Sequence, residues 1–327
     1  MPKVSVAIPT YNGALYLEEC LESAVNQTFS DIEIVIVDDC STDETFEIAG
    51  KYARLDNRIK VFCNNTRLGL VGNWNRSIQY STGEWIKFLF QDDFLYDNCI
   101  EIMLNAARST QVGVTGSFVV GERNFIIEEG VADDLKHFYG NSVLTLKDVF
   151  VDKFRISHGE FAKAMLERGV GLNFIGEPTS VMIRREICFK YSFFSPNLVH
   201  LCDLEYWTRL GTNEGLIYIP EKLSGFRVHN RSASAYNHFN RHFELECLDK
   251  IILLHDYLYD PCYLNLRKSP DAVTTLSEYL KNEFRNLAGP GGVFDNRDKK
   301  MLLYALIEKY PILKNTWMNP IFREANL

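Results

Sequence analysis

At 327 residues the chain exceeds one minimal domain and falls short of three, so one large domain with an appendage is expected. Hydrophobic residues at 46% and charged residues at 24% exclude a mainly disordered chain, and a formal charge of -8 withholds the basic surface that a nucleic-acid partner requires. The 8 cysteines form no C-x-x-C pair and read as free thiols, and no run approaches the ~20 apolar residues of a membrane span.

Met1-Pro2-Lys3 leads straight into a strand at Val4 to Ile8, without the charged and then apolar regions of a secretion signal, so a cytoplasmic chain is expected. Leu17, Cys20, Leu21, Ala24 and Val25 recur at helical spacing, and Ile32 to Val37 is short and β-branched enough for a buried strand. Ser41 and Glu44 fit a capping box for a helix with Phe46, Ala49, Tyr52 and Ala53 on one face. Ile59 to Cys63 reads as a third strand, Val71, Trp74 and Ile78 mark a third helix that Gly83 stops, and Trp85 to Phe90 makes a fourth strand. Strands alternating with helices over the first 120 residues indicate an α/β fold, a Rossmann-like, mostly parallel sheet covered by helices.

Residues 121–175 break the rhythm with acidic and aromatic stretches and are expected to be an insertion shaping an acceptor region within a catalytic domain of residues 1–231. Residues 232–327 read as a helical C-terminal extension, from the spacing of Phe243, Leu245, Leu248, Ile251, Ile252 and Leu254, with a break at Gly289-Pro290-Gly291-Gly292. A homodimer contact is one expected use of that extension. Another is peripheral contact with the inner face of a membrane, hinted at by Lys299, Lys300, Lys309, Lys314 and Trp317.

In an open parallel sheet a ligand binds beyond the carboxyl ends of the strands. Those ends carry Pro9-Thr10-Tyr11-Asn12, Asp38-Asp39, Asn64-Asn65-Thr66-Arg67 and Gln91-Asp92-Asp93. A nucleoside diphosphate with a divalent ion meets these groups: a ring face for Tyr11, a donor for Asp39, phosphate oxygens for Arg67 and a cation for Asp93. Each alone has a structural reading too, Asp39 as a turn or cap, Tyr11 as a packed ring and Arg67 as a loop cation. Two adjacent carboxylates repel unless water or a metal compensates them, which makes Asp92 and Asp93 harder to explain structurally. Neither G-x-G-x-x-G nor G-x-x-x-x-G-K-[ST] is present, against a dinucleotide cofactor and a P-loop.

With these residues placed, the sequence resembles the inverting glycosyltransferases of family 2, whose catalytic domain has the GT-A fold. The resemblance runs through P-T-Y-N, V-D-D-x-S-T-D at Val37 to Asp43, N-W-N-R at Asn73 to Arg76 and the segment from Gly83 to Asp93. It resumes at Gly176-Glu177-Pro178, Arg184-Arg185, Asp203 to Leu210, and Arg227-Val228-His229 with Ser232 and Ser234. It implies that Pro9, Thr10, Tyr11, Asn12, Asp39, Arg67 and Asp92 hold the nucleotide, with Asp92 at the ribose or a metal-bound water. Asp93, helped by His229, would ligate Mn2+ or Mg2+, and Asp203 would be the general base. Two positions depart from the family pattern: Phe90 stands where the first Asp of D-x-D-D is common, and Cys202 where Glu often precedes the base.

The resemblance implies transfer of a sugar from a nucleotide sugar, UDP favoured, to a hydroxyl of a saccharide or lipid-linked saccharide, by one in-line displacement with inversion. Two other classes share parts of this pattern. A nucleotidyltransferase making the activated sugar has a similar sheet but a Gly-rich basic loop after strand one, and a non-catalytic nucleotide-sugar-binding module would keep the fold without the chemistry.

Overall fold

The computed structural model describes residues 1–108, 110–233, 235 and 246–288. Its first half alternates β1 (Val4–Thr10), α1 (Ala14–Val25), β2 (Ile32–Asp38), α2 (Thr45–Leu55), β3 (Ile59–Cys63), α3 (Gly69–Tyr80) and β4 (Trp85–Phe88). Every residue of β1 and β2 is buried, because helices cover both faces of the sheet. The period of two decides which side chain meets which layer: Val4, Val6 and Ile8 pack against Leu17, Cys20 and Leu21 of α1, while Ala7 belongs with Val71, Trp74 and Ile78 of α3.

Next come β5 (Phe94–Leu95), α4 (Cys99–Ala107), β6 (Phe118–Ile127), α5 (Asp133–His137), α6 (Leu146–Val149), β7 (Arg155–Ile156) and α7 (His158–Arg168). They are followed by β8 (Val181–Arg184), α8 (Arg185–Lys190), α9 (Cys202–Glu214), β9 (Leu216–Val228), α10 (Glu246–Tyr259) and α11 (Ala272–Ala288). The sheet runs β3-β2-β1-β4-β8-β6-β9-β5, with β7 also on β9. β3, β2, β1 and β4 are parallel, and beyond β4 the sheet becomes mixed, β8 lying antiparallel to both β4 and β6.

Four expectations are corrected. β4 ends at Phe88, because the amide of Phe90 turns to the Thr179 hydroxyl at 3.2 Å. The capping box does not form: Ser41 Oγ donates to Asp38, and Asp43 accepts instead from Thr45 N, 3.1 Å, at the start of α2. Phe46 lies outside the packed face and is exposed. Residues 121–175 are not a separate insertion, since β6 and β7 both pair with β9 and α7 packs on α9.

The C-terminal helices share the main core. Ile251, Leu253, Leu254 and Tyr257 of α10 and Leu276 and Leu280 of α11 are buried in one cluster with Leu204, Trp207 and Leu210 of α9. Among the described residues no helix is long and apolar enough to cross a membrane. Ser234, Phe243, Leu245, the 289–292 break and the basic-aromatic positions from 299 to 317 lie outside the described residues, so the membrane and dimer expectations are untouched by the fold.

Candidate active site

The crevice opens where β1 and β4 part. Ala7 is the last β1 residue in register with β4, opposite Phe88, and its carbonyl accepts from Leu89. Pro9 points its missing donor toward that vacated side, so a proline in a central strand costs no ladder bond there. Thr10 is buried and hydrogen-bonds Asp38 at 3.1 Å.

Beyond β1 the loop turns through Asn12, whose φ of 46° is left-handed, a conformation Asn tolerates better than most residues. Asn12 ties the ends of β1 and β2 together: its amide reaches Ser41 Oγ at 2.9 Å and its Oδ1 accepts from Thr42 N at 2.8 Å. Gln91 clasps the same loop from β4, accepting from Tyr11 N at 2.8 Å and donating to Tyr11 O at 3.0 Å. A Cβ on Gly13 would lie 2.1 Å from Gln91 Oε1, which is why glycine stands there.

Asp39 is buried and accepts three hydrogen bonds, from Asn64 Nδ2 (2.8 Å), Leu68 N (2.7 Å) and Gly69 N (2.8 Å). Its carboxylate thereby holds the loop entering α3 and keeps little acceptor capacity in reserve. Asn73 backs this arrangement by donating to Thr10 O and Val37 O. Arg67 sits with its guanidinium 4.0 Å from the Tyr11 ring centroid, so the ring face expected to meet a base carries a cation here. The sequence places Asn64 and Gln91 at strand ends and Asn73 in the N-W-N-R stretch, but assigns none of them a role; their hydrogen bonds emerge only in the fold.

The acidic pair divides. Asp93 points inward, 2% exposed, accepting from Thr179 Oγ1 at 2.5 Å and Arg227 N at 3.0 Å. Burial, and then the neighbouring Asp92, push its carboxyl well above the ordinary range. Beneath it Lys87 is fully buried, donating to Phe88 O and Thr179 O, and burial draws its ammonium down to about 8. Asp92 is the partly exposed member, and its Oδ2 lies 3.0 Å from His229 Nε2. Arg227 fastens this corner, its Nε donating to Asp92 O at 3.0 Å and its Nη2 pairing with Glu19 at 2.5 Å. Phe90 offers no carboxylate and packs on Trp74 at 4.6 Å.

The structure thus brings His229 to Asp92, whereas the sequence reading joined it to Asp93. His229 Nδ1 accepts from Arg231 N at 3.3 Å, which leaves Nε2 as the protonated nitrogen donating to Asp92. A cavity of about 210 Å³ opens beside this pair, lined by Tyr16, Glu128, His229 and Arg231 among others. Among the described residues no group of three or more His, Cys, Asp or Glu side chains could hold a metal alone. The oxygen donors here fit a hard divalent cation: Asp92 would offer it one carboxylate, with phosphate and water left to complete the shell, and His229 would be free to join only with Nε2 deprotonated.

Asp203 stands in the first turn of α9, held by Asn173 Nδ2 at 2.9 Å and Leu204 N at 2.7 Å. Burial raises its carboxyl to about 7, and the nearby charge of Glu177 adds to the rise while the Leu204 amide opposes it. The 176–179 segment lies between Asp203 and the acidic pair. Gly176 O accepts from Trp207 Nε1 at 2.9 Å, Thr179 donates to Asp93, and the Glu177 charge acts on both Asp93 and Asp203. Gly176 adopts φ 99°, and a Cβ there would lie 2.4 Å from Arg123 Cζ. Arg123 in turn pairs with Glu177 at 2.5 Å.

Residues 5–170 match the family described as Glycosyl transferase family 2. An uncharacterized protein of Mycobacterium tuberculosis is 29% identical over 282 residues, 85% of this chain and 83% of its own. A GalNAc(5)-diNAcBac-PP-undecaprenol beta-1,3-glucosyltransferase of Campylobacter jejuni is 33% identical over 172 residues, 51% of this chain and 54% of its own. Among solved structures, S. aureus TarS 1-349 in complex with UDP has a TM-score of 0.54 at 17% identity, covering 86% of this chain and 80% of that one. The mannosyltransferase PcManGT from Pyrobaculum calidifontis, in complex with GDP-Man and Mn2+, has a TM-score of 0.54 at 17% identity, covering 99% and 86%. These two likenesses concern the fold.

Proposed function

The chain belongs to glycosyl transferase family 2 and has the GT-A fold, and from that premise we propose an inverting transfer from a nucleoside diphosphate sugar to a hydroxyl acceptor, with Asp203 as general base. The observation that carries this reading is a carboxylate raised to about 7 by burial, fixed by Asn173, on the far side of the 176–179 segment from Asp92 and His229. A base must be ionised at working pH yet basic enough to take a hydroxyl proton, and a value near neutrality balances the two. One base opposite one leaving-group site suits a single displacement, with no covalent intermediate.

The nucleotide is proposed to lie over Pro9, Thr10, Tyr11 and Asn12, with its base toward Asp39 and Arg67, the latter moving off or sandwiching the Tyr11 ring. Asp92 is proposed as the carboxylate that meets Mn2+ or Mg2+, and Asp93 as its buried support. When bound, the cation supplies electrostatic stabilisation to the departing diphosphate. His229 is proposed to orient Asp92 through its Nε2–H. UDP is the favoured nucleotide, in keeping with the TarS complex, although the PcManGT complex holds GDP-Man. A saccharide or lipid-linked saccharide acceptor, met in the cytoplasm or at the inner face of a membrane, is in keeping with the undecaprenol-linked substrate named for the Campylobacter relative.

A panel of UDP- and GDP-sugars in Mn2+, scored by nucleoside diphosphate release and thermal stabilisation, tests the proposal. Release from at least one sugar supports it. Pyrophosphate release from a nucleoside triphosphate and a sugar phosphate would instead identify a nucleotidyltransferase, and binding without release or transfer would identify a non-catalytic module.

A further inference from the structure

The N-terminal end of α9, where Asp203 sits, has no cap of its own. The N-cap residue is Leu201, whose side chain cannot accept a hydrogen bond, so the chain entering the helix needs an outside partner. That partner comes from α10. The Oδ2 of Asp249 accepts from three successive amides, Val199 (2.9 Å), His200 (2.6 Å) and Leu201 (3.0 Å), and Asp249 is 3% exposed. A carboxylate gathered into consecutive N–H groups before a helix is stabilised by those dipoles and fixes the entering backbone.

The grip continues along α9. Glu205, two residues beyond Asp203, accepts from Tyr263 Oη and pairs with Arg209 at 2.8 Å, and all three side chains are buried. Near the helix end Asn213 donates to Cys262 O at 2.9 Å and accepts from Asn265 at 3.1 Å. Segment 249–265 therefore touches α9 at its entry, middle and end.

We propose that Asp249 is a positioning residue for the transfer reaction: by fixing the three amides ahead of α9 it sets where the Asp203 carboxylate stands relative to Asn173 and the 176–179 segment. This rests on Asp203 as the base. The 249–265 segment is then part of the catalytic apparatus. Removal of the Asp249 carboxylate lets the entry to α9 relax, admits water to Asp203 and loosens its hydrogen bond to Asn173. The other groups acting on Asp203, namely Glu177, Asn173 and the Leu204 amide, keep their identity in an Asp249 variant.

The test compares the full chain with Asp249→Ala and the milder Asp249→Asn. Three quantities are measured: the melting temperature, the titration midpoint of the Asp203 carboxyl by 13C NMR, assigned through Asp203→Asn, and nucleoside diphosphate release from UDP-glucose, UDP-N-acetylglucosamine and GDP-mannose in Mn2+. The expected result is a midpoint lowered by about one pH unit in Asp249→Ala and by less in Asp249→Asn, as the carboxyl regains water. Turnover should fall about tenfold or more at unchanged KM, since a small misplacement of a reacting group is enough for this. A folded variant whose midpoint stays in place overturns the proposal, and Asp249→Asn carries the test if Asp249→Ala does not fold. Robust turnover by Asp203→Asn would separately overturn the base assignment, leaving the effect of Asp249 on the midpoint still readable.

Discussion

Asp203 is the proposed base, and its substitution gives the sharpest outcome. Asp203→Asn should keep nucleotide-sugar binding in calorimetry and lose turnover by about 10²- to 10⁴-fold, the range a positioned base supplies. In the unaltered enzyme kcat/KM should rise with pH through about 7, as the carboxyl ionises. The same group bears on stability with a definite sign. Its folded value lies above the unfolded one, so the folded state binds the proton more tightly, and the stability this provides is lost as pH rises from the ordinary carboxylate value through about 7. Asp203→Asn should therefore melt at a higher temperature than the unaltered chain at pH 8, and a lower melting point would contradict the burial argument. At the other pole, Asp92→Ala should abolish the Mn2+ dependence of donor affinity, while Asp93→Ala, which strips the acceptor from Thr179 and the Arg227 amide, should mainly lower the melting temperature; the reverse pattern would restore Asp93 as the ligand. The sequence marked both aspartates and the family resemblance put Asp93 at the metal, but which of the two is buried depends on Thr179 and Arg227, which are remote in the chain.

At the level of elements, the first four strands were legible because their period, β-branching and flanking turn residues agree, and β3 is found at the limits read from its composition. What escaped was the lacing between strand ends. Gln91 stands in the sequence only as one polar residue at the end of the fourth strand, yet it supplies both hydrogen bonds that fix Tyr11 and crowds position 13. Gly13→Ala should cost roughly 1–3 kcal/mol through that collision. In a double-mutant cycle the cost should shrink in the Gln91→Ala background, where the colliding atoms are gone. Additive costs would show that Gly13 is required for its backbone alone. The capping box failed for a related reason: the Asp38 carboxylate claims Ser41, leaving Asp43 to receive the first amide of α2.

Across the whole molecule the division at residue 231 marks a change in pattern without marking a boundary in packing. The core contains Leu204 and Trp207 beside Ile251, Tyr257 and Leu276, so α9, α10 and α11 bury one continuous surface. Calorimetry of the full chain should show a single cooperative transition, and a chain ending at 231 should aggregate or bind hydrophobic dye; two resolved transitions would refute a shared core. Periodicity revealed that the C-terminal segment is helical, but which helix it would embrace depends on contacts such as Asp249 with the 199–201 backbone, which no local pattern encodes.

The borders of the sheet carry a last consequence. One border is β3, five residues long with Lys60 facing solvent, and on the other side β9 is flanked by β5 and β7, of two residues each. Among the described residues neither border presents a long uninterrupted row of unpaired amides and carbonyls on which a second chain could template itself. Self-association by strand addition is disfavoured, so copies that meet must do so through helical or loop surfaces, and crowding during synthesis carries a lower risk of sheet-to-sheet polymerisation than a nine-stranded architecture would suggest.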